Sequence, residues 1–293
     1  MKKISILILA VTGLISCNKN NDKADGYGNF EATEITVCSE ANGKIDFLNA
    51  EEGDNLKQNT LVGMVDTLQL YYTKQQLLAT KNTVMSKSSN VLSQIKVLEE
   101  QLKTTQIEKK RIHAMYAENA ATKRQVDEID GRVNVILQQI KSVQSQDEPI
   151  HNEVKSVDVQ VQKIADQIKK SSIVNPINGT ILAKYTEPGE VTSFGKPLYK
   201  IADISEMSLR VYVSETQLPQ IKVGQEVTVK IDSEKDMKSF KGTISWIASQ
   251  AEFTPKIIQT KEERVNLVYA VKVKVKNDGS LKIGMPAEMW IAR

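Results

Sequence analysis

The sequence predicts an elongated α+β chain, with a long antiparallel α-helical coiled-coil hairpin inserted into a split β-sandwich and a further β domain after it. Three observations predict it. A heptad seam runs from Val126 to Ile168, a set of short β segments recurs on either side of that seam, and period-two alternation begins at Met207.

The seam comes first. Stepping alternately three and four residues from Val126 gives Ile129, Val133, Ile136, Ile140, Val143, Asp147, Ile150, Val154, Val157, Val161, Ile164 and Ile168. Only Asp147 is not aliphatic, and the intervening residues are mostly polar. Such spacing draws one narrow apolar stripe along a helix, and the stripe must be buried against another helix. Residues 67–118 also read as helix, separated from the second arm by Asn119-Ala120-Ala121. The short turn and matched arms, about 75 Å each at 1.5 Å per residue, favour an intramolecular hairpin over a free-standing dimer.

The first arm is less regular. Leu78, Met85 and Leu92 stand seven apart, then Val91, Ile95, Leu98, Leu102 and Ile112 continue the seam, with Asn82, Ser88 and Lys109 interrupting it. Pro149 lacks an N–H and predicts a kink or restart, with Asp147 capping the new turn. Gly131 marks a second bend. At the turn, Thr122-Lys123-Arg124-Gln125 fits a capping box.

The N-terminus carries Lys2 and Lys3, an apolar run from Ile4 to Val11, and Leu14-Ile15-Ser16-Cys17. That order is an export signal over residues 1–16, and its end resembles a bacterial lipobox, which makes Cys17 the lipid anchor. The apolar stretch is too short to span a bilayer. Residues 17–29 carry little to bury and read as the lipid-anchored tether. Cys38 is then the one remaining thiol, expected as a small buried apolar residue rather than a nucleophile.

Shifting the chain by 136 residues (Asn42 to Asn178) aligns two segments without a gap. Asn42-Gly43 matches Asn178-Gly179, Ile45 matches Ile181, Glu51 matches Glu187, and Gly53-Asp54 matches Gly189-Glu190. Val62 and Val65 fall on Leu198 and Ile201. Each copy reads as strands joined by an Asn-Gly turn and an acidic-Gly turn. Neither can close a core alone, so the two should interleave.

These paired half-motifs around a helical hairpin resemble the split lipoyl-like domain of the HlyD-like periplasmic adaptor (membrane-fusion protein) family. Ala251 to Lys256, Gln259 to Arg264, Leu267-Val268-Tyr269 and Gly284-Met285-Pro286 are similar to adaptors of ABC-2-type drug exporters. The resemblance implies a lipoyl-like half at 30–66, the hairpin at 67–171 with its tip near 119–121, a second half at 172–205, and a small C-terminal β-barrel at 206–293. It also implies a bridge from an inner-membrane exporter to a TolC-like outer-membrane channel, built from a ring of copies, usually six. Adaptors docking such channels carry Arg, Leu and Ser at a spacing that Arg111, Met115 and Thr122 match, with Leu replaced by Met and Ser by Thr; Asp127 also fits. The implied address is the periplasm, lipid-anchored to the inner membrane.

In the last third, Leu209, Val211 and Val213 alternate, as do Val227, Val229, Ile231 and Val271, Val273, Val275. Trp246 and Phe253 are large enough to fill a small barrel, and residues 251–267 read as a long loop facing a transporter. The chain stops soon after Met285, without the fourth domain of adaptors of proton-driven pumps, so an ABC-type partner is favoured over an RND-type one. A coiled-coil tether without a pore is the reading from another class; the split repeat counts against it.

Enzymatic and carrier functions find no support. The joint where a lipoyl lysine would swing is occupied by the hairpin. His113 and His151 have no neighbouring ligand at metal spacing, and no phosphate loop or nucleophile elbow is present. A net charge of +3 spread over Lys-rich helices argues against nucleic acid. No catalytic residue, cofactor or metal is expected.

Overall fold

The computed structural model describes residues 23–233, 236–253 and 267–291; residues 1–16, expected as an export signal, and Cys17, expected as the lipid anchor, lie outside them. The described residues fall into two compact units, one of residues 36–176 with 183–200, the other of 23–35 with 177–182 and 201–291.

In the first unit, the hairpin is built from α1 (Leu68–Ala117), α2 (Lys123–Gln144) and α3 (Asp147–Lys170). Both α2 and α3 pack along α1, and the cross-arm pairs Lys81–Asp158, Lys87–Glu153 and Lys109–Asp130 fix the antiparallel register. None of the thirteen seam positions is exposed. Val126, Ile129, Val133, Ile136, Ile140 and Val157 are buried, and α1 meets them with Val84 and Val91. Fully burying one such side chain is worth about 1.5–3 kcal/mol, so the seam holds the arms together.

The first arm differs from its sequence reading. Met85 and Leu92 are 49% and 54% exposed, because the true seam passes through Val84, Ser88 and Val91 and each lies one residue, about 100°, off it. Ser88 occupies a seam position because Asp147 faces it, accepting its hydroxyl at 2.7 Å. Asp147 therefore ties the arms together instead of capping. The return arm does break before Pro149, at Ser145–Gln146, with Gln146 at the cap. Gly131 introduces no break; α2 runs through it.

Eight short strands carry the repeat: β2 (Glu34–Cys38), β3 (Gly43–Leu48), β4 (Asn55–Leu56), β5 (Leu61–Val65), β6 (Ser172–Val174), β7 (Gly179–Lys184), β8 (Val191–Thr192) and β9 (Pro197–Ala202). They form two four-stranded sheets, β6-β5-β3-β8 and β2-β9-β7-β4. Moving each strand of one sheet by 136 residues, forward for first-copy strands and back for second-copy strands, reproduces the other, so each copy lends its outer strands to its mate. The hydrogen bonds are exchanged in the same way. Ser39 N–H donates to Lys196 O and Asn175 N–H to Thr60 O; Gly195 N–H donates to Ser39 O and Asn59 N–H to Asn175 O. Even the left-handed turn positions agree, with Gly53 (φ 94°) matching Gly189 (φ 91°) and Asn59 (φ 63°) matching Gly195 (φ 82°).

One matched pair breaks the symmetry. Leu48 is buried, whereas its mate Lys184 carries an ammonium whose side chain is only 7% exposed. It reaches Glu51 at 2.7 Å and Glu187 at 2.6 Å, themselves repeat mates. Burial alone would depress the Lys184 pKa, but the two carboxylates outweigh it and hold it above 10.5. Cys38 is exposed, contrary to the expectation of burial, because β2 is an edge strand and Cys38 lies at its open end.

The second unit contains β1 (Gly26–Glu31), β10 (Glu206–Ser214), β11 (Glu226–Ile231), β12 (Lys238–Ile247), β13 (Glu252–Phe253), β14 (Leu267–Lys276) and β15 (Pro286–Ile291). Their order is β10-β1-β15-β11-β12-β14-β13, and a β10–β14 pairing closes six strands into a barrel, leaving none of the six with a free edge. A 3-10 turn, Glu215–Gln220, opens with a Ser214/Gln217 capping box.

Residues 26–29, read as tether, are instead the first part of β1, between β10 and β15. Phe30 on that strand is 1% exposed and fills the barrel with Met207, Leu209, Val229, Val273 and Met289. Trp246 and Phe253 do not fill it; they are 42% and 84% exposed. A register shift between Ile244 and Trp246 turns the tryptophan outward, where Lys272 Nζ lies 5.7 Å from its ring. Most of the expected loop at 251–267 lies outside the described residues.

Candidate functional site: the hairpin tip

The tip is made by two complementary helix ends. At the end of α1, Ala120 N–H donates to Met115 O at 2.7 Å and Asn119 N–H to Tyr116 O at 3.0 Å, with Asn119 at φ 63°. This is a Schellman closure with asparagine in the left-handed position. The turn was legible only as a three-residue gap; the positive φ that Asn119 tolerates is the signal that could have typed it. At the start of α2, Gln125 N–H donates to Thr122 Oγ1 at 3.3 Å, and Thr122 N–H to Gln125 Oε1 at 2.8 Å. Each end thus satisfies two backbone groups locally, which keeps the turn short.

Arg111 lies on α1, exposed and paired with Glu108 at 2.6 Å. Met115 is 41% exposed one turn later, and Tyr116 beside it is 43% exposed. Thr122 is exposed but its hydroxyl serves the cap. Sequence reasoning missed Tyr116, because its neighbour Met115 fitted the spacing and it did not. Lys123 and Asp127 pair at 2.8 Å, a bond that raises the lysine pKa.

Below the tip the arms are cross-linked by charge. Asp130 of α2 lies 2.9 Å from His113 Nε2 and 3.1 Å from Lys109 Nζ, both on α1. Hydrogen bonds from His113 and Lys109 hold the Asp130 carboxyl below the ordinary 3.8. A lowered carboxylate pKa adds stability that is present above 3.8 and is lost as pH falls through the folded value. The helical melting temperature should therefore drop on acidification below pH 3.8 by a component that Asp130→Asn removes. Circular dichroism melts of both proteins between pH 2 and 6 test this; equal acid sensitivity would remove Asp130 from the account.

The tip contains no nucleophile beside a base. Among the described residues no group of His, Cys, Asp and Glu could hold a metal ion, and no helix is long and apolar enough to cross a membrane. What the tip presents is exposed Met115 and Tyr116 at the end of a helix that also exposes Arg111, with the Lys123 charge near Tyr116. That arrangement suits contact with another protein.

Comparison with known proteins follows the same lines. Residues 207–291 match the YknX-like beta-barrel domain family. The chain is 22% identical over 320 residues to the UPF0194 membrane protein YbhG of Salmonella gallinarum, a match covering 98% of this chain and 96% of the relative. The structure of MacA from Actinobacillus actinomycetemcomitans aligns over 90% of this chain and 76% of its own, with TM-score 0.53 and 19% identity. A MacA-MexA chimeric protein containing the Pseudomonas aeruginosa MexA alpha-hairpin domain aligns over 91% and 80%, with TM-score 0.50 and 22% identity.

Proposed function

We propose, for a chain with the HlyD-like membrane-fusion adaptor fold, the role of a non-enzymatic periplasmic adaptor in an efflux or secretion system. In this reading it bridges an inner-membrane exporter, with an ABC-type partner favoured, to a TolC-like outer-membrane channel. One observation carries it. The hairpin leaves and re-enters a set of interleaved strands, so its tip is a projecting end fixed at both roots. A simple envelope tether has no need to return its chain in this way.

The role assigned to each part follows. Cys17 carries the lipid that holds the protein at the inner membrane. The barrel faces the transporter; segments such as Leu267-Val268-Tyr269, which resemble adaptors of ABC-2-type exporters, support that pairing. Arg111, Met115 and Thr122 meet the channel. Copies pack as a ring, six being the number the resemblance implies. The mechanism is mechanical and electrostatic: exposed tip groups dock, and no bond is made or broken.

Co-purification from membranes tests the whole chain of inference. Wild-type protein, extracted in mild detergent, should bring down both a transporter and an outer-membrane channel, identified by mass spectrometry. Arg111→Asp should retain the transporter and lose at least nine-tenths of the channel, with unchanged helical content, because Arg111 is exposed and its salt bridge is to Glu108 one turn away on the same helix. Undiminished channel recovery by the variant would remove the tip assignment. Absence of any transporter with wild type would remove the adaptor reading.

A further inference from the structure

The outer wall of the barrel carries a groove to which the adaptor role above assigns no residue. Barrel walls are convex, yet here a concavity of about 320 Å³ opens over β10, β1, β15 and β11. Its cause is local. Gly28 has no side chain, so β1 can lie so close to β10 that a Cβ there would sit 1.7 Å from the Arg210 carbonyl oxygen. The strand pairing then places Tyr212, Tyr27, Glu288 and Lys230 side by side in one rank across four strands. Arg210 and Pro286 stand in the next rank, opposite Asn29.

The charges in the groove are unevenly committed. Both cations are engaged by groups of the protein. Arg210 Nη2 donates to both Glu252 oxygens at 3.0 and 3.1 Å and its guanidinium lies 5.8 Å from the Tyr212 ring. Lys230 Nζ stands 4.0 Å over the Trp290 ring. Glu288 accepts from Trp290 Nε1 at 3.0 Å and has Lys230 opposite it on β11. Glu31, whose charge also acts on Arg210, and Asp232 line the same groove. Three lining carboxylates, Glu31, Asp232 and Glu288, face two lining cations, so the groove keeps a net negative charge beside the Tyr27 and Tyr212 rings, of which Tyr212 already has Arg210 against it. That combination attracts a positive charge attached to an apolar body: the rings offer their negative faces and the carboxylates the counter-charge.

We propose that this groove binds a small organic cation, an ammonium group on an apolar or aromatic body, with Tyr27 and Tyr212 against the body and Glu31 nearest in role to the charge. The site is independent of the hairpin tip and of any channel. It stands or falls whether or not the chain is an adaptor.

The protein supplies its own reporter. Its two tryptophans are Trp246 and Trp290, and Trp290 is bonded to two groove residues. In full-length Trp246→Phe protein, benzyltrimethylammonium should change Trp290 fluorescence saturably, and equilibrium dialysis should give the same affinity. Benzyl alcohol and benzenesulfonate, neutral and anionic bodies of similar size, should bind at least tenfold more weakly. Tyr27→Ala with Glu31→Gln should weaken the cation at least tenfold while leaving the melting temperature in place. If that pair lowers melting, the near-isosteric Glu31→Gln alone carries the comparison, with a loss of at least threefold. No saturable uptake in dialysis, equal affinity for the three probes, or unaltered affinity in the variants would each overturn the proposal.

Discussion

Gly28→Ala should melt the barrel about 10–20 °C below wild type, while Gly26→Ala two residues earlier should barely move it. The difference is steric. At Gly28 a Cβ would fall 1.7 Å from Arg210 O and 2.6 Å from its carbonyl carbon, both backbone atoms of β10 that cannot rotate aside. At Gly26 the nearest atoms are 3.3 Å away, a gap that a small adjustment absorbs. Relieving the first clash means pulling β1 off β10, which opens the barrel and exposes Phe30. Overpacking costs typically about 1–3 kcal/mol and losing a buried phenylalanine about 3–5. A loss of 3–5 kcal/mol is therefore expected, and at about 4 °C per kcal/mol it gives the stated shift. Calorimetry of the two variants checks this. Equal melting temperatures would show that β1 is not held where the pairing puts it.

The second large effect concerns the repeat. Ile45→Ala and Ile181→Ala should each cost about 2–5 kcal/mol and should agree within about 1 kcal/mol. Ile45 and Ile181 are 0% and 1% exposed, and the same equality holds for Val62 with Leu198 and Val65 with Ile201. If the two copies are equivalent halves, truncating either leaves a similar void. Urea unfolding followed by far-ultraviolet circular dichroism measures both. A twofold or larger disparity would mean that one copy is scaffold and the other decoration. Leu48 and Lys184 should not match in this way, since one fills space and the other holds Glu51 and Glu187.

How much of this was legible in the chain depends on whether periodicity or tertiary context decided each element. The buried face of the second arm was legible in full, because its 3-4 spacing admits only one such face, whereas the partner of Asp147 and the unbroken helix at Gly131 were not. The interleaved strands were legible because the same turn residues occur twice. β1 was not: Gly-Tyr-Gly-Asn-Phe-Glu offers one buried apolar side chain, and its stability comes from backbone bonds to two neighbours that a sequence does not display. Trp246 was misplaced because one extra residue at a bulge reverses a period-two pattern. Cys38 was misplaced because burial was inferred from residue type, whereas its edge position exposes it. At the tip, Thr122 was legible as a cap, while the spacing that singled out Arg111 carries a proposal. The Schellman turn at Asn119 and the Asp130 cross-link depended on partners in the fold.

The exchange of outer strands between the two copies governs how the chain can mature. Residues 36–66 cannot complete their sheets until their mates beyond residue 170 have emerged, and β1 must wait for β15 near the C-terminus. A chain threaded across a membrane from its N-terminus would spend that interval with sticky, unsatisfied strand edges, so nascent copies need shelter or speed until the last segment arrives. The hairpin, whose partners are neighbours along the chain, can zip shut meanwhile and bring the waiting halves together.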